Sequence, residues 1–317
     1  MKLKDILHYI GLLLFFIFSL LGGLLKGYDP LVTLPISLVL VIIVFFLVRL
    51  MINKKQETHT KIIETLSHWM IYIVIMLAGG IASLHFITIQ FIANDDLITS
   101  GNEKLIAIDD IRSNFQDQVK TTENELFQEI QKKLNEYKNA SRSERKILKV
   151  DLINVYQINE EDLEKRISNN DTKTLSKLAV KFHFINKIEK FSTKIDKNLE
   201  NYSIENRDVF NNMDYLNVNR VYYGLDSILD TNKVRLNNGF NKVVSDFGKD
   251  VDVFVNHKSP ASEVSINNFT KLREQYPPWK YLILYLLLHL LIISPLLLAR
   301  KEGKKPLSEE DIFTEVL

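Results

Sequence analysis

Histidines and other polar side chains inside apolar stretches are the residues of this chain best placed to do chemistry. His85, Thr88 and Gln90 fall within one apolar stretch, and His289 lies near the middle of another. Polar and ionisable groups at such a depth usually face the interior of a helix bundle, where a series of them can carry protons or ions. These four residues therefore define one hypothesis, a polar path through a membrane.

A second interpretation explains the same histidines without conduction. A neutral imidazole can hydrogen-bond to a neighbouring helix and fix how the two helices pack. Proton relays usually include a carboxylate, and the apolar stretches contain neither Asp nor Glu. We favour the hydrogen-bonding role, and we expect His183 and His257, which lie outside those stretches, to be ordinary bundle residues.

Residues for catalysis or metal binding are missing or wrongly spaced. The chain has no cysteine, which excludes disulfides, thiolate metal sites and a cysteine nucleophile. It also has no phosphate-binding glycine loop, no paired-histidine zinc pattern and no nucleophile motif. We therefore predict a protein that is not an enzyme and that has no catalytic residues, no metal site and no cofactor.

Four apolar stretches contain or flank the polar positions, at 6–25, 31–52, 67–93 and 279–299. Each is long enough to cross a bilayer, which takes about 20 helical residues. The first is expected to remain as a transmembrane helix, since another apolar run follows it and no small-residue cleavage site intervenes. The sequence therefore predicts an all-α membrane protein with four transmembrane helices.

The centre of the third stretch consists mostly of small residues. Small side chains let the backbones of neighbouring membrane helices approach closely. We predict that this run is a helix-packing face rather than a pore or a hinge. It comprises Ala78, Gly79, Gly80, Ala82 and Ser83.

Positive charges next to the apolar stretches predict the orientation in the membrane. Cations at 2–4, at 49–61 and at 300–305 fall on one side if there are four spans. The positive-inside rule then places both termini in the cytoplasm and residues 94–278 outside the inner membrane. Residues 53–66 become a short basic cytoplasmic loop, and 300–317 a tail that is first basic and then acidic.

The polar segment between the third and fourth stretches has the period of amphipathic helices. Within 95–277 there are 28 Lys and Arg against 30 Asp and Glu, so the cation surplus needed to bind nucleic acid is absent. Apolar residues recur every three or four positions, with one gap at Thr122. We predict an elongated, coiled-coil-like helical bundle, built most simply from four helices. The first apolar stripe is Ile108, Ile111, Phe115, Val119, Leu126, Ile130, Leu134 and Tyr137.

Local signals predict where these helices begin, end and face the core. Ser141 with Glu144, Asn159 and Asp171 are expected N-caps. Asn94 to Gly101 is expected to separate the third span from the first bundle helix. Gly224 and Gly239 are expected to bend or break a later helix. A second apolar stripe, predicted to face the core, is Leu175, Leu178, Phe182, Ile185, Ile188, Phe191, Ile195, Leu199 and Tyr202.

These features favour a sensing or scaffolding subunit of a bacterial envelope complex. The layout is similar to that of bacterial receptors whose helical periplasmic bundle sits between two spans, a similarity of architecture without a shared motif. One alternative is an ion channel or transport component that uses the polar path. Another is a toxin-like or defence effector that permeabilises the membrane. The expected partners are membrane lipid and either further copies of the chain or other proteins of a membrane complex, and no nucleic acid.

Overall fold

The computed structural model describes residues 3–56, 62–249 and 263–299. All regular structure in these ranges is helical, and none of it is strand, so the prediction of an all-α chain is confirmed. Residues 57–61 of the predicted basic loop and the whole 300–317 tail lie outside the described residues, whereas 62–66 belong to α3. The helices are α1 (Leu3–Leu25), α2 (Pro30–Gln56), α3 (Ile62–Thr88), α4 (Asn94–Asn139), α5 (Arg142–Asn154), α6 (Glu160–Ser168), α7 (Thr172–Val180), α8 (Asn186–Asn206), α9 (Val218–Ser245), α10 (Phe269–Gln275), α11 (Pro278–Ile292) and α12 (Ser294–Leu297).

The chain divides into two compact units. The first, here called the apolar unit, comprises Met1–Ser100, Asn212–Arg220 and Ser262–Leu317. The second, here called the bundle unit, comprises Gly101–Asn211 and Val221–Ala261. The sequence therefore returns twice to the apolar unit after entering the bundle unit.

Two helices near the N-terminus, α1 and α2, are long and apolar enough to cross a membrane. Helix α3 bends by 45° at Ala78, between Leu66–Leu77 and the segment that begins at Gly79, and counting this pair as one span gives a third. The apolar part of α11, Tyr281–Ile292, is shorter. Described helix lengths therefore support two or three spans.

The predicted stretch 279–299 is interrupted near its end. Helix α11 has 15 residues, which is roughly 22 Å at the rise of an α-helix, against about 30 Å of bilayer hydrocarbon. It ends at Ile292, and α12 begins at Ser294 with Pro295 in its first turn. Proline is compatible with a first helical turn but disrupts a helix interior. The proline thus coincides with a new helix start.

Large apolar side chains cover the outside of the apolar unit. Soluble proteins rarely expose contiguous apolar patches beyond a few hundred Å². The apolar surface is that expected of helices in contact with lipid, which is consistent with membrane association. Exposed apolar residues include Leu31, Leu34, Val39, Phe46 and Leu50 on α2, Met70, Ile71, Ile73, Val74 and Leu77 on α3, and Ile283, Leu286, Leu287 and Leu290 on α11.

The predicted break between Asn94 and Gly101 is wrong. Helix α3 passes into a π-helical segment, Ile89–Ala93, and then directly into α4. Asp95 and Asp96 lie on an exposed side of the helix, where charged residues do not interrupt it. A Cβ at Gly101 would lie 2.5 Å from the ring of Phe210, so this glycine permits a close contact and does not end the helix.

Three long helical stretches form the core of the bundle unit. They are α4, the run Thr172–Asn206, which contains α7 and α8, and α9. Phe115 of α4 meets Phe191 of α8 at 6.1 Å and Phe240 of α9 at 6.3 Å between ring centroids. The described residues of this unit contain no fourth long helix, so the four-helix arrangement stays a prediction.

The predicted apolar stripe of α4 is largely confirmed. All of its residues except Val119 are buried, and Thr122, at the gap, is itself only 2% exposed. The stripe is therefore continuous in space, because threonine contributes a small side chain at the position where the sequence has no apolar residue.

The second stripe is partly wrong, because the helix is not regular. Lys181–Ile185 forms a π-helical segment between α7 and α8. Such a segment adds a residue to one turn and shifts the face that follows it. Phe182, predicted to be buried, is 56% exposed, whereas Phe184 is fully buried against Phe240.

The three predicted N-caps are confirmed. The Ser141 backbone N–H donates to Glu144 Oε2 at 2.9 Å in a capping box that opens α5. Asn159 accepts from the backbone N–H of Glu161 and Asp162 and opens α6. Asp171 accepts from the N–H of Thr174 and opens α7. Polar residues that satisfy the free N–H groups of a first turn are therefore identifiable from sequence.

The predicted bend at Gly224 and Gly239 is wrong. Helix α9 runs through both glycines. A Cβ at Gly239 would lie 2.5 Å from the ring of Phe191, and one at Gly224 would lie 3.3 Å from the Tyr202 hydroxyl. Both glycines thus provide room for an aromatic residue of α8, which outweighs their poor helix propensity.

Candidate functional site within the apolar helices

His85 is fully buried in α3 and bonds to the chain segment before α10. Its Nε2 lies 2.6 Å from the Ile266 carbonyl oxygen. A carbonyl only accepts, so Nε2 carries the proton and donates. His85 Nδ1 is buried and has no hydrogen-bond partner among the described residues. The ring also meets Phe269 edge-on at 6.1 Å, so this imidazole holds the start of α10 against α3.

Thr88 and Gln90 follow His85 but have separate partners. The Thr88 hydroxyl donates to the Leu84 carbonyl oxygen, one turn earlier in its own helix, at 2.8 Å. Gln90 lies in the π-helical segment, and its side-chain oxygen accepts from the Tyr215 hydroxyl at 2.5 Å. Both polar groups are therefore already bonded to protein.

His289 belongs to a different cluster, between α3 and α11. Its Nδ1 lies 3.3 Å from the Tyr72 hydroxyl, and its ring meets the Tyr285 ring edge-on at 4.3 Å. The Tyr285 hydroxyl donates to the Met76 carbonyl oxygen at 2.7 Å. Two tyrosines and a histidine thus fasten α11 to the first half of α3.

The structure does not bring His289 together with the other three residues of the predicted polar path. His289 contacts Tyr72, which precedes His85 by 13 positions on α3, a rise of roughly 20 Å. The structure places His85 with Ile266, and Gln90 with Tyr215. They form separate local contacts.

The small residues of α3 contact three neighbouring helices. A Cβ at Gly79 would lie 3.0 Å from Phe15 of α1 and 3.2 Å from Leu40 of α2, and one at Gly80 would overlap Tyr285 of α11. Two further small residues of α3, Ala82 and Ser83, contact α1. A Cβ at Gly22 of α1 would overlap the Ala82 carbonyl, and the Ser83 hydroxyl forms a hydrogen bond with the Ser19 hydroxyl at 2.9 Å. The side chain of Ala78 lies outside the described part of the chain.

Two polar contacts that sequence reasoning missed tie distant segments together. His8 Nδ1 donates to the Ile292 carbonyl oxygen at 2.6 Å, and joins α1 to the end of α11. Asn219 donates from Nδ2 to the Leu25 carbonyl oxygen at 2.7 Å, and joins the start of α9 to the end of α1. Neither pairing leaves a signal in the sequence, because the partners are backbone atoms that any residue would supply.

A groove of about 340 Å³ lies between α1, α2 and α3. Its lining is mainly apolar, and the side chains at its base are small. Lys26 and Tyr28, from the turn between α1 and α2, lie at one end. The lining residues are Ser19, Gly23, Lys26, Tyr28, Val32, Thr33, Ile36, Ser37, Leu40, Gly79, Ile81 and Ala82.

Lys26 is the charged residue of this groove. Its side chain is half-buried, and burial lowers the pKa of the ammonium below its ordinary value of 10.5. The Phe269 ring lies 5.9 Å from Nζ. Within the described ranges no carboxylate pairs with Lys26, so the ammonium has lost water without gaining a counterion.

The described side chains contain no group of three or more His, Asp or Glu that could hold a metal ion. No protein-family model matches the chain, and neither does any curated protein or solved structure.

Proposed function

We propose that this chain is a non-enzymatic, multi-pass protein of the bacterial inner membrane that acts as a sensing or scaffolding subunit of an envelope complex. In this proposal four spans anchor it, both termini are cytoplasmic, and residues 94–278 form a coiled-coil-like bundle outside the membrane. The chain works as an oligomer or with other membrane proteins. Its orientation follows from the positive-inside rule.

One observation carries the proposal. Several polar side chains of the apolar helices join one helix or segment to another, and His289 has partners different from those of His85, Thr88 and Gln90. His85 bonds Ile266, His289 lies against Tyr72, and Ser19 bonds Ser83. Interhelical hydrogen bonds of this kind, together with small residues, are what hold membrane helices together. A rigid anchor is the function that such packing supports best.

The bundle unit supports a partner-binding role. Ile147 and Val150 are 73% and 58% exposed on the short helix α5, three residues apart and so on one face. Arg142, Arg145 and Lys146 are exposed close to them in the sequence. Apolar residues with a basic surround are suited to a protein partner. We expect α5 to contact another member of the complex.

One observation still supports the channel or transport alternative. His85 Nδ1 is buried and has no partner in the described ranges, and a path closed in one state of a protein can open in another. The permeabilising-effector alternative also requires ions to cross the membrane. A single flux measurement therefore tests both against the scaffold.

Ion flux should be measured in liposomes that contain the purified full-length protein. The scaffold predicts no flux above that of empty liposomes, with His85→Gln and His289→Gln still assembling, because an amide keeps a hydrogen bond. Flux that either substitution abolishes would establish the polar path. Flux unchanged by both substitutions would establish a pore gated by apolar residues, and the scaffold would be wrong.

A further inference from the structure

We propose that the groove between α1, α2 and α3 binds one anionic phospholipid, with its phosphate at Lys26 and part of an acyl chain along α2. This inference rests on the proposed function, because a lipid is in place only if these helices span a membrane. It adds a specific ligand to that function.

Lys26 supplies the charge complementarity. Its ammonium is half-buried, lies 5.9 Å from the Phe269 ring and has no carboxylate partner in the described chain. A partly desolvated cation without a counterion is unfavourable, and a phosphate group provides both charge and acceptors.

The nearest acidic residue in the sequence does not neutralise Lys26. Asp29 Oδ1 accepts from the Leu31 backbone N–H at 2.8 Å, at the N-terminus of α2. A carboxylate there is stabilised by the helix dipole. Asp29 is not among the residues that line the groove.

The remainder of the groove suits hydrocarbon. Two of its hydroxyls are already bonded, Ser19 to Ser83 at 2.9 Å and Thr33 to the Asp29 carbonyl oxygen at 2.9 Å. Val32, Ile36 and Leu40 line the α2 side. From Val32 to Leu40 the helix rises roughly 12 Å, and each methylene buried along that length adds affinity.

Charge favours a lipid over a helix from a second copy as the occupant of the groove. An apolar helix would leave Lys26 without a counterion, whereas the lipid phosphate supplies one.

The role of the Lys26 charge in lipid binding is tested on delipidated full-length protein in detergent. Thermal unfolding is followed while phosphatidylglycerol, which is anionic, or phosphatidylcholine, which is zwitterionic, is added. Phosphatidylglycerol is expected to raise the unfolding temperature more. Lys26→Gln should weaken its apparent affinity roughly fivefold, the effect of one cation near a membrane surface. The matched control Lys271→Gln removes an exposed lysine of α10 in the same unit and should change nothing.

The role of the groove in lipid binding is tested by placing a larger side chain in it. Ser37 is buried in the groove, whereas Val39 on the same helix is 53% exposed. Ser37→Leu should abolish stabilisation by phosphatidylglycerol, and Val39→Leu should preserve it. If Ser37→Leu fails to fold, the comparison of Lys26→Gln with Lys271→Gln decides the question alone.

Three results would overturn the inference. Equal stabilisation by both lipids would show that no anion is recognised. Equal stabilisation by inorganic phosphate would show a free-anion site. A smaller oligomer on filling the groove, measured by light scattering, would show that a second copy occupies it. None of these results changes the flux or orientation tests, so the proposed function and the lipid site fail separately.

Discussion

The hydroxyl of Tyr285 occupies the space that a side chain at Gly80 would need. A Cβ on Gly80 of α3 would overlap the Tyr285 hydroxyl of α11, which donates to the Met76 carbonyl oxygen at 2.7 Å. The glycine allows the tyrosine to approach, and the tyrosine bonds to the backbone of α3 one turn earlier. The two residues thus fix the distance between these helices.

Gly80→Ala should therefore destabilise the apolar unit. We expect a loss of about 1–3 kcal/mol, as for overpacking of a close contact, seen as a lower unfolding temperature in detergent. Ile71→Leu, on an exposed side of the same helix, is the control and should have little effect. An unchanged unfolding temperature for Gly80→Ala would mean that α11 does not rest on α3 at this residue.

The sequence predicts the composition of this contact but not its geometry. Small residues at 79–83 indicate that something packs closely there. They do not identify Phe15, Tyr285 or Gly22 as the residues that do so, because these lie on α1 and α11, far from 79–83 in the chain. Only the three-dimensional arrangement selects them.

Phe182 and Phe184 should differ strongly in the bundle unit. Phe184→Ala leaves a cavity beside Phe240 and should destabilise the unit by about 3–5 kcal/mol, whereas Phe182→Ala, at an exposed position, should change its stability by about 0.5 kcal/mol or less. Chemical denaturation of the full-length chain, followed by helix content, measures both. Equal losses of stability in the two variants would show that the π-helical segment does not determine which phenylalanine faces the core.

The error over Phe182 has a definite physical origin. Apolar spacing at threes and fours assumes a regular helix, and it describes α4 well because α4 contains no insertion. The segment Lys181–Ile185 departs from that period. Which residue then turns inward is decided by packing against α9, and a local pattern contains no such information.

Acid should destabilise the bundle unit, in part through Glu129. Burial opposes its ionisation, but hydrogen bonds from the Tyr156 hydroxyl, at 2.6 Å, and from Lys249 outweigh this and hold the pKa of Glu129 below its ordinary value of 4.5. A carboxyl with a lowered pKa contributes stability above the unfolded value and loses it as the pH falls through the folded value.

The unfolding midpoint in denaturant should accordingly decline as the pH is lowered below about 4.5. Glu129→Gln should make that decline shallower. Glu205→Gln, at an exposed position of α8, is the matched control and should leave the slope unchanged. If the slope is the same in the wild type, Glu129→Gln and Glu205→Gln, Glu129 does not contribute to the loss of stability in acid.

Asn219 should hold the start of α9 on the apolar unit. Asn219→Asp loses the donor to the Leu25 carbonyl oxygen and sets a carboxylate beside that oxygen. We expect a destabilisation of about 1–3 kcal/mol and faster proteolysis between residues 207 and 217. Exposed Asn198→Asp, on α8, introduces the same change as a control. Cleavage rates that match in both variants would contradict this role.

The polar site was foreseeable only as a set of residues. His85, Gln90 and His289 are conspicuous because polar groups are rare in apolar stretches. Their partners Ile266, Tyr215 and Tyr72 lie up to 217 positions away, and two of them are outside the predicted spans. The sequence is therefore compatible both with a polar path and with separate hydrogen bonds between segments. The contacts in the structure favour the second.

The account depends most directly on which side of the membrane the bundle lies. Because the chain has no cysteine, one cysteine can be introduced at exposed Asn169 or, as a cytoplasmic reference, at exposed Asn53. A membrane-impermeant maleimide is applied to intact cells whose outer membrane, where there is one, has been made permeable. The account predicts labelling at 169 without opening the inner membrane and labelling at 53 only after opening it. Labelling at 169 that requires opening the inner membrane would place the bundle in the cytoplasm and contradict the account.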